Sequence, residues 1–321
     1  GAGAGVGSTG LTHILLPAFV ASDKAIGHYP ARLHYGTLTS MRIHSLVAAF
    51  GPLAFAAQPA LSQDAKLLER GTYLMNSIVA CGNCHVQRDK QGRPIAELGL
   101  SGGGVFDEKP FKAYAANITP DPETGIGKWS EAQLMRAIRE GIRPDGSLIG
   151  PPMPIHMYRG ISDDDARALV VYLRAQPPVK NVVPKSVYHI KLPRSYGPAI
   201  KKTIVAPSRN NQVKYGAYLA GPLGHCIDCH TPYNERGMDM QRIGAGGAPF
   251  TGPWGVSVSR NLTPTGLKQW SDAEIARAIR EGKSRDGSPL KPPMAFGWYK
   301  NINDQDMAAI VAYLRSLKPL P

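Results

Sequence analysis

The chain contains four cysteines, and all four fall in two pentapeptides, Cys81-Gly-Asn-Cys-His85 and Cys226-Ile-Asp-Cys-His230. On a helical turn, positions i, i+3 and i+4 share one face, so both thiols and the imidazole of each pentapeptide point the same way. Two thiols so placed can bond the two vinyl groups on one porphyrin edge while the imidazole reaches the iron. C-x-x-C-H is the attachment pattern of c-type haem. A zinc site needs four ligands at closer spacing and has no use for the following histidines. A lone redox-active C-x-x-C normally sits in a strand-rich fold, and structural disulfides would leave two matched histidines unexplained. The expectation is two covalently bound haem c groups, one on Cys81 and Cys84, the other on Cys226 and Cys229, with His85 and His230 as iron ligands.

Everything around the pentapeptides is written twice. Gly71-Thr-Tyr-Leu returns at Gly216, and Cys81 at Cys226, each 145 residues on. Asn117-Ile-Thr-Pro returns as Asn261-Leu-Thr-Pro, an offset of 144. Arg136-Ala-Ile-Arg-Glu-Gly, Pro151-Pro-Met and Tyr172-Leu-Arg return at offsets of 141. A period this long, present twice, indicates a duplicated domain and not a solenoid. The repeat nominates the second iron ligands, Met153 and Met294, both in Pro-Pro-Met, where proline restricts the backbone and soft sulfur suits haem iron. Core packing is the competing role for these methionines. Met157 and His156 are alternatives in the first copy, but their counterparts are Trp298 and Gly297, while Met307 lies on an apolar helical stripe.

The elements that must position these groups read as helices. Ser130-Glu-Ala-Gln and Ser271-Asp-Ala-Glu are capping boxes, and each helix runs to a glycine, Gly141 or Gly282, suited to a left-handed stop. Ala166, Leu169, Val170 and Leu173 fall at helical spacing, repeated by Met307, Ile310, Val311 and Leu314. Asp163 to Asp165 place negative charge at a helix start. Gly71 and Gly216 suit close helix approach, with Tyr172 and Tyr313 crossing there. Asn117 and Asn261 formally match glycosylation sites, but their repetition points to a structural loop. Trp129 and Trp270 suit either porphyrin contact or core packing. No sustained alternating run demands a sheet. The expected fold is all-α: two tandem cytochrome c-like domains from an internal duplication.

The expected organisation is an upstream non-native extension at 1–40, a secretory signal peptide at 41–63, domain 1 at 64–180, a basic Pro-rich linker at 181–207 and domain 2 at 208–321. The signal reading rests on Met41-Arg-Ile-His followed by a short apolar run and small residues; an uncleaved anchor is the alternative. The 321 residues carry 37 basic and 24 acidic side chains, a net charge of +13. That balance favours an acidic partner or an anionic surface. The basic residues are spread along the chain with no zinc-finger spacing or aromatic RNA-binding signature, which counts against nucleic acid. The linker carries Lys185, Lys191, Arg194, Lys201 and Lys202 and no acid, a solvated connector or a docking strip.

The run Asn117-Ile-Thr-Pro-Asp-Pro-Glu-Thr-Gly-Ile-Gly-Lys-Trp-Ser130, the paired Pro-Pro-Met and the last helix with Tyr-Leu-Arg resemble the c-type cytochrome subunits of bacterial membrane-associated dehydrogenases, of the alcohol and gluconate dehydrogenase type. The resemblance covers nearly all of residues 64–321. It implies electron transfer, one at a time, from a dehydrogenase catalytic subunit to a downstream cytochrome or oxidase, in the periplasm or at the outer face of the cytoplasmic membrane. Membrane association would come through partners. It carries the family's ligands onto Cys81, Cys84, His85, Met153, Cys226, Cys229, His230 and Met294. Those alcohol dehydrogenase subunits typically have three haem domains and a C-terminal anchor, whereas this chain has two motifs. A dihaem enzyme of the peroxidase or thiosulfate-oxidising type is the alternative; a peroxidase would need an open or displaceable iron site, against which two matched methionines count.

Overall fold

The computed structural model describes residues 58–234, 237–252 and 254–321. The expected extension and most of the expected signal peptide lie outside the described residues; residues 58–63 open the first helix. Each copy of the repeat is built on a first helix packed against the last one, the first being 19 residues long in the first copy and seven in the second. In the first copy α1 (Gln58–Asn76) packs on α5 (Asp163–Arg174), with α2 (Gly82–His85), α3 (Glu131–Glu140) and α4 (Ile155–Tyr158) between them in sequence. In the second, α6 (Gln212–Tyr218) packs on α10 (Asp304–Ser316), with α7 (Cys226–Cys229), α8 (Asp272–Glu281) and α9 (Phe296–Tyr299) between.

The helix ends form where the sequence places them. Ser130 Oγ accepts from Gln133 N at 3.2 Å while Ser130 N donates to Gln133 Oε1 at 2.8 Å. Ser271 and Glu274 repeat the exchange at 3.2 and 2.7 Å. Gly141 and Gly282 close these helices at φ 68° and 65°, a conformation that costs any residue with a Cβ. The two apolar stripes of α5 and α10 are buried throughout, none of the eight residues more than 5% exposed. The glycine crossings are tight. A Cβ on Gly71 would lie 2.1 Å from Ala168 O and 2.9 Å from Tyr172 Cβ; on Gly216 it would lie 1.8 Å from Ala309 O and 2.9 Å from Tyr313 Cβ.

The all-α expectation is corrected by seven short strands in three antiparallel sheets among the described residues. β1 (Val105–Glu108), β2 (Phe111–Tyr114) and β3 (Val187–Tyr188) form one; β4 (Tyr233–Asn234) and β5 (Gly237–Met238) a second; β6 (Pro249–Gly252) and β7 (Gly255–Val258) a third. None exceeds four residues, too short for a period-2 pattern to stand out from surrounding loop sequence. Their pairing partners, not their composition, make them strands.

The described residues form one compact unit. The copies share a single buried cluster containing Leu74, Ile78 and Leu169 from one and Leu219, Leu223 and Ile310 from the other. Polar contacts across it are reciprocal. Tyr73 Oη donates to Asp306 Oδ2 at 2.8 Å, and its counterpart Tyr218 Oη donates to Asp165 Oδ2 at 2.7 Å. Each carboxylate is also held by an arginine, Arg209 at 2.6 Å on Asp306 and Arg70 at 2.7 Å on Asp165. Burying a carboxylate is costly unless hydrogen-bonding and charged partners such as these accompany it. The linker lies over the first copy: Tyr196 Oη donates to Ile149 O at 2.9 Å, and Asp163 N donates to Ile204 O at 2.9 Å.

Candidate haem attachment sites

Each pentapeptide forms a single helical turn. His85 N donates to Cys81 O at 2.9 Å, and His230 N to Cys226 O at 3.0 Å. The turn brings the two thiols and the imidazole to one face. In both copies the residue just before the first cysteine is left-handed, Ala80 at φ 49° and His225 at φ 41°, the only two non-glycine residues in that region among those described. Such a conformation is costly for a residue with a Cβ and persists only where its surroundings impose it. Here it turns the chain sharply from α1, or from the π-helical turn Leu219–Leu223, into the cysteine turn.

The histidines are clamped alike. His85 Nδ1 lies 2.8 Å from Ala116 O, and His230 Nδ1 lies 2.7 Å from Arg260 O. A carbonyl only accepts, so Nδ1 carries the proton and Nε2 keeps a free lone pair, the form that ligates a metal. Burial pushes both imidazoles below the usual histidine range, the backbone bond partly opposing it, which favours the neutral ligand. Each carbonyl immediately precedes the Asn-x-Thr-Pro loop. Asn117 Oδ1 accepts from Thr119 N at 3.0 Å and Oγ1 at 2.7 Å, and Asn117 Nδ2 donates to Val179 O at 2.8 Å. Asn261 repeats this with Thr263 at 2.8 and 2.7 Å and with Leu320 O at 2.8 Å. Asn117 is 4% exposed; these asparagines build the loop that aims the histidine.

The four cysteines are unbridged and partly exposed. Burial pushes the Cys81 and Cys229 thiols up to about 12 and those of Cys84 and Cys226 to about 11. Thiols raised in this way are poor nucleophiles for disulfide exchange at neutral pH. Donor set, tautomer and shared face together fit a c-type haem.

Met153 and Met294 each follow a cis Pro–Pro bond and are partly buried against the shared core, as are Cys81 and Cys226. Each loop runs straight into a short helix: Ile155 N donates to Met153 O at 2.9 Å and Phe296 N to Met294 O at 3.0 Å. Met307 is 3% exposed in the core. His156 is exposed, and its Nε2 lies 2.9 Å from Asp228 Oδ1 in the other copy. The tryptophans pack against the same core, and the Trp129 and Trp270 carbonyls accept from Arg174 and Arg315.

Sequence reasoning missed how the pentapeptides meet the opposite copy. Asn83 Nδ2 donates to Pro293 O at 3.2 Å, mirrored by Asp228 and His156. The Arg88 guanidinium lies 6.0 Å from the Trp298 ring centroid, and Tyr233, at the position matching Arg88, reaches the first copy through its hydroxyl, 3.3 Å from His156 Nε2. Cys84 stands near enough to Cys229 to add to the burial that raises its thiol, and thiols of both pentapeptides add in the same way to the burial of Tyr299. The two attachment turns therefore meet at the centre. The signal was available in the repeat, which pairs Asn83 with Asp228 and Arg88 with Tyr233, but only spatial contact gives those pairs meaning.

The Cytochrome c family profile matches residues 214–318. A protein described as diheme cytochrome c-type from Cereibacter sphaeroides is 32% identical over 251 residues, 73% of this chain and 81% of that protein. The cytochrome c subunit of quinone alcohol dehydrogenase from Gluconobacter oxydans is 30% identical over 309 residues, 86% of this chain and 60% of that protein. A nicotinate dehydrogenase subunit from Pseudomonas putida is 32% identical over 277 residues, 81% of this chain and 22% of that protein. The chain thus spans less than two thirds of the length of these two dehydrogenase subunits. With the histidine clamp and cysteine turn of that second copy inside the matched region, the chain belongs to the cytochrome c family, whose members carry covalently bound haem c.

Proposed function

We propose that the protein is a two-haem electron carrier, exported to the periplasm, that takes electrons one at a time from a dehydrogenase catalytic subunit and passes them to a downstream cytochrome or oxidase. The observation that carries this reading is the matched histidine clamp: the same turn, the same Nδ1–carbonyl bond and the same Asn-Thr loop occur in both copies. Cys81 and Cys84 hold one haem with His85 and Met153 as iron ligands; Cys226 and Cys229 hold the other with His230 and Met294. Bound haem iron supplies reversible one-electron exchange. The chain's own residues fix the imidazole tautomer, present thioether sulfur from the Pro-Pro-Met loops, which favours the reduced state, and surround the sites with apolar side chains.

The dehydrogenase partner is supported by relatives named as cytochrome subunits of alcohol, fructose and gluconate dehydrogenases. Their substrates differ, so what this chain can share with them is an electron path. The net charge of +13 favours an acidic partner surface. Export is supported by the signal-like run at 41–63, and no helix among the described residues is long and apolar enough to cross a membrane. The test is Met153→Ala and Met294→Ala in the haem-loaded chain. Each is expected to lower the potential of one haem and open it to carbon monoxide. Wild-type spectra and potentials in both variants would overturn the ligand assignment. A wild-type chain that binds carbon monoxide readily at one haem would favour the enzyme reading.

A further inference from the structure

The linker does for the first copy something that nothing among the described residues does for the second. It supplies β3, which pairs with the outer edge of β2: Val187 opposite Lys112 and Tyr188 opposite Phe111. Tyr114 N donates to Ser186 Oγ at 3.0 Å, and His189 N to Pro110 O at 2.9 Å. The Tyr188 ring lies so close to Gly150 that a Cβ there would be 2.5 Å from it. The strand therefore seals the segment leading into Pro151-Pro152-Met153.

The same hairpin recurs in the second copy as β6 and β7, in the same register, with Val256 standing where Lys112 does and Val258 where Tyr114 does. Gly247 N donates to Ser259 O at 2.8 Å and Ser259 N to Ala248 O at 2.9 Å. Main-chain groups alternate sides along a strand, so Ser259 and Ser257 bond inward while those of Val256 and Val258 face out. Among the described residues no strand pairs with that edge. The two valine side chains are 56% and 58% exposed. The edge is tied to the second methionine loop, for Ser257 Oγ donates to Pro292 O at 2.6 Å. Lys291, which replaces Gly150, reaches Val256 O at 3.5 Å, the long limit of a hydrogen bond, and Arg260 is exposed just beyond the strand.

We infer that the outer edge of β7 is a docking edge, on which an extended acidic segment of a partner protein adds as a strand beside Val256–Val258. The fold already accepts such a strand at the equivalent edge of the first copy. An added strand gains main-chain hydrogen bonds and places alternate side chains against the valines. Lys291 and Arg260 select negative charge, and a lysine on an exposed edge discourages indiscriminate pairing. A second copy of this basic chain is disfavoured, since edge-to-edge pairing would bring both sets of cations together. That such a partner would sit beside a haem rests on the function proposed above; the docking edge itself does not.

The probe is a synthetic peptide with the sequence of residues 183–193 in which Lys185, His189 and Lys191 are replaced by glutamate, titrated calorimetrically into the haem-loaded chain. We expect saturable one-to-one binding that weakens with salt and slows hydrogen exchange at the Val256 and Val258 amides. Val258→Pro and Lys291→Glu should each weaken binding at least tenfold; the second is a surface change that leaves the hairpin intact. Lys112→Glu, at the occupied edge, should change it less than twofold. Absent binding, binding indifferent to Lys291→Glu, or self-association of the chain through this edge would overturn the inference. A normal two-haem spectrum without peptide binding would sink the docking edge alone, whereas peptide binding by a chain lacking one haem would sink the proposed function alone.

Discussion

Replacing Gly216 by alanine tests whether close crossing of α6 and α10 holds the second copy together. The added Cβ would lie 1.8 Å from Ala309 O and 2.5 Å from Ala309 C, both main-chain atoms that no rotamer change can move aside. A carbon–oxygen contact needs about 3.3 Å, so α10 must retreat by about 1.5 Å. That retreat loosens Met307, Ile310 and Leu314, none more than 3% exposed. Overpacking of this kind costs about 1–3 kcal/mol, and the better helix propensity of alanine returns about 1 kcal/mol. A main-chain contact of 1.8 Å puts the cost at the upper end of that range, about 2–3 kcal/mol, so the net expectation is about 1–2 kcal/mol of destabilisation, read as a lower urea midpoint by far-ultraviolet circular dichroism of the haem-loaded chain. Gly297→Ala in α9 is the control. Its Cβ would meet nothing within 4 Å, so it should be neutral or stabilising by up to about 1 kcal/mol. A Gly216→Ala protein as stable as wild type would show that the crossing is not tight and refute the reasoning.

Tyr73→Phe and Tyr218→Phe each delete a hydroxyl that bonds a buried carboxylate of the opposite copy; each should cost about 1–2 kcal/mol in the same assay without changing the haem spectrum, and equal midpoints would show that the copies do not depend on these bonds. Asp163 is held below the usual carboxylate range first by its hydrogen bond from Arg139. Its folded pKa is depressed, so its stabilisation is present above the unfolded value of about 3.9 and disappears as pH falls through the folded value. Asp163 is 28% exposed, so Asp163→Asn should cost at most about 1 kcal/mol at pH 7. The difference from wild type should vanish in strong acid, and a pH-independent difference would contradict the pairing.

The parts of this fold legible in the sequence are those encoded locally. Ser130 and Ser271 with their Gln133 and Glu274 partners announce helix starts, Gly141 and Gly282 announce stops, and each forms as read. The crossing of Gly71 by Tyr172 and of Gly216 by Tyr313 was legible because the repeat marks both members. The strands were not. Val105–Glu108 and Phe111–Tyr114 pair with each other, and the latter also with linker residues more than 70 positions away. Four-residue segments carry too little pattern to announce such partners. The candidate ligands were legible because C-x-x-C-H is a contiguous signal, whereas the carbonyls of Ala116 and Arg260 that orient the histidines carry no side-chain signature at all. The His156–Asp228–Tyr233 contact also escaped, because it joins two copies that the sequence presents as separate domains.

The central claim is that both pentapeptides carry haem. Its most direct test is the mass of the chain, expressed with export and haem-attachment machinery, purified and denatured, for wild type and for the Cys81→Ala/Cys84→Ala and Cys226→Ala/Cys229→Ala double variants. The account predicts two covalently retained haems in the wild type and one in each variant, the survivor keeping its absorption spectrum. A single haem in the wild type, or loss of both in either variant, would contradict it.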